Sequence, residues 1–380
     1  MKTLSVYIHI PFCVQKCNYC DFLSAPAAKP ARKQYLEALK KEIMQESLQY
    51  VEYSVQSVFF GGGTPSILDG EEIGDCMKVL RDHFRISSTA EITMEMNPGT
   101  ASLEKLTVLK QAGINRLSIG LQSTDDAQLK MLGRIHTYEE FLKIYQDARI
   151  VGFNNINVDL MSSLPGQKKE DWELTLQRVL ALQPEHISAY SLIIEEGTPL
   201  YRNLEQYPPI PDEDEDRKMY SRTKELLAQK GYHRYEISNY ARENFECRHN
   251  SAYWIRDNYA GFGLGASSMV DNCRWKNTDN MQYYLQQVQS GNSVKEEIHK
   301  LSVQECMEEF MYLGLRMMKG VSEEEFEQLY GQPIDNVYGE VLNKWKQTGY
   351  LCRENGRISL TDKGLSLIHI SEPTRPEPIS

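Results

Sequence analysis

Three cysteines lie close together near the start of the chain, in the stretch "YIHIPFCVQKCNYCDF" from Tyr7 to Phe22. Cys13, Cys17 and Cys20 are spaced C-x3-C-x2-C and follow a run typical of a short buried strand. Thiolates are ligands both for zinc and for iron–sulfur clusters. A structural zinc site needs four ligands, and the sequence holds no second C-x2-C pair. The spacing therefore favours a [4Fe–4S] cluster with one iron open to another ligand, and zinc is the alternative.

The bulk composition restricts the class of protein. The chain has 380 residues, a formal net charge of −11 and a pI of about 5.4. A protein that binds nucleic acid non-specifically would be expected to be basic, so we expect no nucleic-acid partner. No apolar run approaches the roughly 20 residues that span a bilayer, and the N-terminus lacks the features of a signal peptide. These features predict a cytoplasmic protein.

The first 235 residues alternate strand-like and helix-like patterns, which predicts βαβ units and a parallel sheet. Six such units favour an incomplete (β/α)6 barrel. Glycine-rich and polar sequences, such as "GGGTP" and "EMNPG", follow the predicted strands at their carboxyl ends, the edge where barrels place their active sites. The predicted strands cover residues 5–10, 57–60, 91–96, 116–121, 155–160 and 186–194, and the predicted helices cover 31–50, 71–83, 103–112, 138–151 and 171–182.

The remaining sequence divides into three parts. Residues 236–300 are aromatic and glycine-punctuated, which predicts strands and loops that line a pocket. Residues 301–366 predict helices followed by a hairpin at Asn355-Gly356, an α+β arrangement like a winged helix. This part has seven basic and eleven acidic residues, 7 − 11 = −4, which argues against DNA binding. Residues 367–380 contain three prolines and resemble translated sequencing-adapter DNA, so we expect a non-native tail that cuts the last helix short.

The cysteine stretch resembles the signature of the radical S-adenosylmethionine (SAM) superfamily, and specifically its coproporphyrinogen oxidase-like group. The resemblance spans nearly the whole chain to about residue 365 and implies a radical-SAM barrel that binds a [4Fe–4S] cluster and SAM. One departure is Ser163, which stands where the group commonly has glycine. A positive φ there would be strained. The resemblance implies that the cluster is held by Cys13, Cys17 and Cys20, and that SAM is bound by Tyr7, Gly62, Gly63, Thr64, Glu95, Gln122, Arg134 and Asp159.

Two features distinguish members of this group. The decarboxylating oxidases typically have a fourth cysteine where this chain has Phe22, and "HNSAYW" from His249 to Trp254 is similar to the H-N-x-x-Y-W motif associated with heme binding. An imidazole is a suitable axial ligand of heme iron, so His249 is the candidate ligand. The resemblance thus implies a heme chaperone that delivers heme to respiratory hemoproteins, with transient proximity to the membrane.

Two other functions stay open at this stage. One is oxygen-independent coproporphyrinogen III oxidase activity, and the other is a scaffold stabilised by zinc or a cluster without redox chemistry. The sequence also leaves open the identity of the heme acceptor, the cleavage of SAM, covalent attachment of heme, and a homodimer.

Overall fold

A computed structural model describes residues 1–371, with side chains described through residue 366. The first part of the chain alternates strands with helices, as its hydrophobic pattern predicts. Its elements are β1 (Lys2–Ile10), β2 (Phe12–Cys13), β3 (Ala25–Pro26), α1 (Lys29–Glu46), β4 (Tyr53–Gly62), α2 (Gly70–His83), β5 (Ile86–Met96), α3 (Leu103–Gln111), β6 (Arg116–Gln122), α4 (Asp126–Met131), α5 (Tyr138–Val151), β7 (Ile156–Ser162), α6 (Lys169–Leu182) and β8 (His186–Ser191).

The second part contains shorter strands and a C-terminal group of helices. Its elements are α7 (Pro199–Arg202), α8 (Glu213–Ala228), β9 (His233–Arg234), β10 (Asn239–Ala241), α9 (Arg248–Trp254), β11 (Tyr259–Phe262), β12 (Ser267–Val270), β13 (Cys273–Asn277), α10 (Met281–Ser290), β14 (Lys295–Lys300), α11 (Val303–Gly314), β15 (Val321–Ser322), α12 (Glu323–Tyr330), α13 (Asp335–Gln347), β16 (Leu351–Glu354), β17 (Arg357–Leu360) and α14 (Asp362–Ser371).

The six long strands β1, β4, β5, β6, β7 and β8 are parallel neighbours in one sheet, which confirms the predicted barrel-type α/β fold. The whole sheet has twelve strands in the order β14-β13-β12-β11-β1-β4-β5-β6-β7-β8-β10-β9. β11 adds to it in parallel beside β1, with Tyr7 opposite Gly261. The strand that leads to the cysteines therefore lies in the interior of the sheet, between β4 and β11.

The two faces of the parallel strands differ in chemistry. Residues such as Ile8, Phe60 and Ile119 are fully buried in the main apolar core. Residues at the alternating positions, such as Ser57, Ser118 and Asn157, are polar and also buried. Because side chains alternate between the faces of a strand, the sheet has an apolar face packed by helices and a polar inner face.

Residues 301–366 form a separate small core with a three-stranded sheet in the order β15-β17-β16, as a winged-helix-like arrangement predicts. This part contacts the rest of the chain through buried charges. Glu309 accepts hydrogen bonds from Arg256 at 3.0 Å and pairs with Arg274 at 2.9 Å. Arg316 lies over the ring of Trp254 at 4.2 Å.

Three details differ from the sequence-based expectations. The strand predicted to end at residue 194 ends at Ser191. The motif from His249 to Trp254, predicted to lie among strands and loops, is on the helix α9, which was too short for its periodicity to be recognised. The backbone of α14 continues through Ser371, past the expected boundary at 366, since its first residues beyond that point include no proline. Residues 372–380 of the expected tail lie outside the described residues.

None of the helices in residues 1–371 has both the length and the apolar composition needed to cross a membrane. Ser163 has a φ of 56°, so the position at which the chain departs from its group does require the left-handed region. Its hydroxyl donates a hydrogen bond to Asp216. This hydrogen bond helps to hold Ser163 in the left-handed conformation.

Candidate functional site

The glycine turn after β4 packs directly against the segment that carries the cysteines. Gly63 donates its N–H to the carbonyl of Ile10 at 2.9 Å, and Thr64 donates to that of Phe12 at 2.7 Å. A Cβ on Gly62 would lie 2.6 Å from Cε1 of His9, and one on Gly63 would lie 2.5 Å from the carbonyl oxygen of Phe12. Gly62 also has a φ of 111°. The turn therefore requires glycine because of both space and conformation.

The three cysteines lie on one loop, with hydrogen-bond donors beside two of the sulfurs. Cys13 is buried, and Cys17 and Cys20 are half-buried; none of the three forms a disulfide. The hydroxyl of Thr64 lies 3.6 Å from Sγ of Cys13, and a guanidinium nitrogen of Arg134 lies 3.7 Å from Sγ of Cys17. Burial, followed by the neighbouring thiols, raises the pKa of Cys20 to about 12.

This donor set fits an iron–sulfur cluster better than a single ion. Within residues 1–366, no three histidine, cysteine or acidic side chains converge on a point that could hold one metal ion. A cuboidal cluster needs thiolates spread around four irons, and N–H and O–H donors to sulfur are typical of such sites. The loop offers three thiols and both kinds of donor.

Next to the loop, a hydrogen-bonded chain orients Tyr7. Nε2 of His9 donates to the carbonyl of Leu23 at 3.0 Å, so Nδ1 is the acceptor for the hydroxyl of Tyr7 at 3.1 Å. Burial lowers the pKa of His9 to about 4, so the imidazole is neutral at pH 7. Glu95 accepts the N–H of Gly62 at 3.2 Å. Tyr7, Gly62 and Glu95 thus lie together at one rim of the sheet, where the resemblance predicts a SAM pocket.

The three remaining predicted pocket residues lie around Gly120 in β6, where Asp159 is its partner in β7 and a Cβ on Gly120 would lie 3.1 Å from Arg134 and 3.2 Å from Gln122. Asp159 faces the inside of the barrel and accepts hydrogen bonds from Ser118 at 3.0 Å and Asn157 at 2.8 Å. Burial raises its pKa. Arg134 instead lies against the cysteine loop and donates to the carbonyl of Gly120 at 2.5 Å. Gln122 ends β6 with a φ of 71°, where the pairing with β7 shifts register.

His249 lies inside the barrel rather than on a surface loop. His249 is 1% exposed, and its ring stacks on the ring of Phe59 with the two centroids 5.0 Å apart. Nδ1 is 2.9 Å from the hydroxyl of Ser57, and Nε2 is 2.9 Å from that of Tyr253. Burial, with a contribution from Arg116, lowers the pKa of His249 to about 3. The neutral imidazole can ligate iron only after one of its two hydrogen bonds is released.

Four of the predicted site residues, Tyr7, Glu95, Asp159 and His249, line one internal cavity of about 40 Å³. Sequence reasoning identified Tyr7, Glu95, Asp159 and His249 but missed most of the other lining residues. A signal was present, because β6 and β7 carry polar residues at alternate positions although parallel strands covered on both faces are usually apolar throughout. The missed lining residues are Phe59, Arg116, Ser118, Asn157, Ser188 and Tyr190, whereas Asn250 and Tyr253 belong to the motif from His249 to Trp254.

Comparisons with known proteins agree with this architecture. The family model described as Radical SAM superfamily matches residues 7–179, and the one described as HemN C-terminal domain matches residues 301–367. The chain is 34% identical over 362 residues to "Heme chaperone HemW" of Bacillus subtilis, covering 95% of this chain and 96% of the relative. It is 36% identical over 376 residues to "Heme chaperone HemW" of Haemophilus influenzae, covering 96% and 95%.

A solved structure is also similar. It is described as "Coproporphyrinogen III oxidase (HemN) from Escherichia coli is a Radical SAM enzyme". The TM-score is 0.85 at 26% sequence identity, and the match covers 97% of this chain and 88% of that chain. The shared fold thus extends over the barrel, the extension and the C-terminal part.

Proposed function

The chain belongs to the family of the heme chaperone HemW within the radical SAM superfamily, and from this premise we propose that it is a heme chaperone. It binds a [4Fe–4S] cluster, SAM and heme, and delivers heme to respiratory hemoproteins. The observation that carries the proposal is the match to relatives of that name over at least 95% of both chains. Phe22, at the position of the fourth cysteine of the oxidases, supports it.

The residues at the rim have distinct tasks in this proposal. Cys13, Cys17 and Cys20 hold the cluster, which supplies one-electron chemistry toward SAM when both are bound. Because neither Gly62 nor Gly63 has a Cβ, the turn packs closely against His9 and Phe12, and its backbone groups are then available to the cofactor. Glu95 and Tyr7 offer an acceptor and a hydroxyl to the polar groups of SAM. The apolar wall at Phe59 limits the access of water from the side of the barrel.

For heme, we propose His249 as the axial ligand. Its partners Ser57 and Tyr253 are hydroxyl groups, which exchange hydrogen bonds more readily than a carboxylate would. Heme ligation would replace one of these bonds, so heme binding is coupled to a rearrangement of α9 or of the ring. Such coupling suits a carrier that must release its cargo.

The test is anaerobic purification followed by quantification of iron, sulfide and heme. It compares the wild type with His249→Ala and with His83→Ala, an exposed histidine on α2 as the control. We expect about four irons and four sulfides per chain in all three proteins, as a [4Fe–4S] cluster requires, and loss of heme only from His249→Ala. A wild type without heme binding would refute the chaperone, and equal heme content in His249→Ala would refute the assigned ligand.

A second candidate is the oxygen-independent oxidation of coproporphyrinogen III. The observation that favours it is the similarity to the oxidase structure across almost the whole chain. The assay is anaerobic incubation with coproporphyrinogen III, SAM and a reductant, followed by mass spectrometry. Formation of vinyl groups with loss of carbon dioxide would replace the chaperone proposal by this one.

The cell location and the partners follow from the chaperone proposal. We propose a cytoplasmic protein that meets heme-accepting respiratory proteins at the membrane, and that acts without nucleic acid. Cross-linking to isolated membranes with and without bound heme tests this. Heme-independent labelling would contradict a transfer encounter.

A further inference from the structure

The lining of the cavity includes a buried cation with an unpaired N–H group among the described residues. Arg116, the first residue of β6, is 1% exposed and lines the cavity with Tyr7, Glu95 and His249. Its Nε has no hydrogen-bond partner in the described part of the chain. An N–H donor of a buried, permanently charged group is costly to leave unpaired.

The two carboxylates that balance the charge of Arg116 are engaged elsewhere. Glu91 accepts the N–H groups of Arg248 and His249, both at 3.2 Å, and the thiol of Cys247 at 3.5 Å. These bonds fix Glu91 at the start of α9. Because Glu91 is held there, it compensates the charge of Arg116 through space without satisfying its donors.

Asp159 is occupied in the same way. Its two oxygens accept hydrogen bonds from Ser118 and Asn157, and Asn157 is held in turn by His186 at 2.6 Å. These bonds hold the carboxylate against Ser118, two residues along β6 from Arg116. The inner face thus places a buried guanidinium with an unpaired Nε beside two carboxylates that already accept hydrogen bonds from other residues.

We propose that Arg116 is a binding site for a carboxylate group that enters the cavity. A planar guanidinium fork matches a carboxylate with two parallel hydrogen bonds. The cavity of about 40 Å³ has room for a carboxylate or a few waters but not for a tetrapyrrole ring. The ligand therefore presents its acid group on a side chain.

Two ligands of the proposed function carry a carboxylate, so the identity of the ligand of Arg116 rests on that function. One is heme, through its propionates, and the other is SAM, through its methionyl carboxylate. The propionate is favoured because His249, the proposed heme ligand, lines the same cavity as Arg116, whereas the cysteine loop and the glycine turn are not among the lining residues. Arg116 then sets the specificity for a tetrapyrrole that bears free acids.

The experiment measures affinities of the reconstituted protein for two matched pairs of ligands. One pair is heme and heme dimethyl ester, and the other is SAM and decarboxylated SAM. Wild type is compared with Arg116→Gln and with Arg81→Gln, an exposed control on α2. We expect Arg116→Gln to weaken heme binding by about 10- to 100-fold, the range for a charge-assisted hydrogen-bond pair, and to leave the ester unchanged.

The outcomes separate the ligand from the function. If only SAM, and not its decarboxylated form, loses affinity in Arg116→Gln, the carboxylate site stands with SAM as its source. If the wild type binds no heme, the chaperone proposal fails and the SAM pair alone decides the carboxylate site. Equal losses within both pairs, or no loss in either, would overturn the carboxylate site.

A second variant covers a failure of Arg116→Gln to fold. Arg116→Lys retains the charge beside Glu91 and Asp159 but not the planar fork. We expect it to fold, to keep its circular dichroism spectrum and melting temperature, and to lose most of the preference for heme over the ester. An unfolded Arg116→Lys, or one with wild-type preference, would show that Arg116 serves the barrel alone.

Discussion

Acidification should destabilise the fold through histidines that are buried in the neutral form. Burial is the main cause that lowers the pKa of His9 to about 4 and those of His136 and His249 to about 3, and it also lowers the pKa of His186. An unfolded histidine has a pKa of about 6.5. Each of these groups therefore contributes stability above pH 6.5 that is lost as the pH falls below it, because the unfolded chain takes up protons that the folded chain excludes.

The magnitude follows from the number of groups. Between pH 7.5 and 5.5, each histidine costs about 1.4 kcal/mol of unfolding free energy, so four cost about 5 kcal/mol. Glu42 acts in the opposite direction: burial raises its pKa to about 7, and its protonation returns about 2 kcal/mol over the same range. The raised pKa of Asp159 adds to that side. We expect a net loss of about 3 kcal/mol, a large share of the ~5–15 kcal/mol of a typical fold.

The assay is urea unfolding of the cluster-free protein at pH 7.5, 6.5 and 5.5. His249→Asn removes one titrating group, so its stability should depend less on pH than that of the wild type, by about 1.4 kcal/mol between pH 7.5 and 5.5. His83→Asn, at an exposed position, should leave the pH dependence unchanged. If His249→Asn has the wild-type pH dependence, or if acidification stabilises the wild type, the burial argument is wrong.

Three further changes test the rim and its support. Gly62→Ala places a Cβ 2.6 Å from the imidazole of His9 and should weaken SAM binding by more than tenfold in equilibrium dialysis. The control is Gly152→Ala, at a position that also has a positive φ, 93°, but has open space around it. This control should lower the unfolding free energy by only about 1 kcal/mol. Arg134→Gln removes the donor 3.7 Å from the sulfur of Cys17 and should lower the midpoint potential of the cluster in a titration followed by electron paramagnetic resonance; an unchanged potential would contradict a role in tuning. Glu42→Leu removes the carboxylate that accepts hydrogen bonds from Gly263, Asn277 and Tyr284. It should lower the unfolding free energy at pH 7.5 by about 3 kcal/mol or more. An unchanged free energy in urea unfolding would show that these bonds do not stabilise the fold.

Much of the barrel could be predicted from the sequence because its signals are local. Apolar strands bounded by glycine-rich turns predicted six parallel strands, and the chemistry after each strand predicted the rim. The cysteines, Gly62 and Glu95 were placed in this way. Their positions relative to one another follow from the fold, since the carboxyl ends of parallel strands share one edge.

What could not be predicted depends on contacts distant in sequence. The partners of His249 are Ser57 and Tyr253, and no periodicity reveals that a seven-residue helix closes the barrel interior. Arg116 was missed because a lone arginine in a strand is usually exposed, and only the register of β6 turns it inward. The position of β11 beside β1 joins residues about 250 apart, a pairing that turn chemistry does not encode.

That pairing determines when the cysteine loop can mature during synthesis. Before β11 is made, β1 is an open edge of the sheet. The N–H of Gly263 does not yet donate to Glu42, and the N–H of Leu264 does not yet donate to the hydroxyl of Tyr35. A nascent chain that has emerged only to residue 235 therefore contains all three thiols on an unfinished support. We therefore expect the proposed cluster to be retained only once β11 has been made, and a truncation at residue 235 should not retain it.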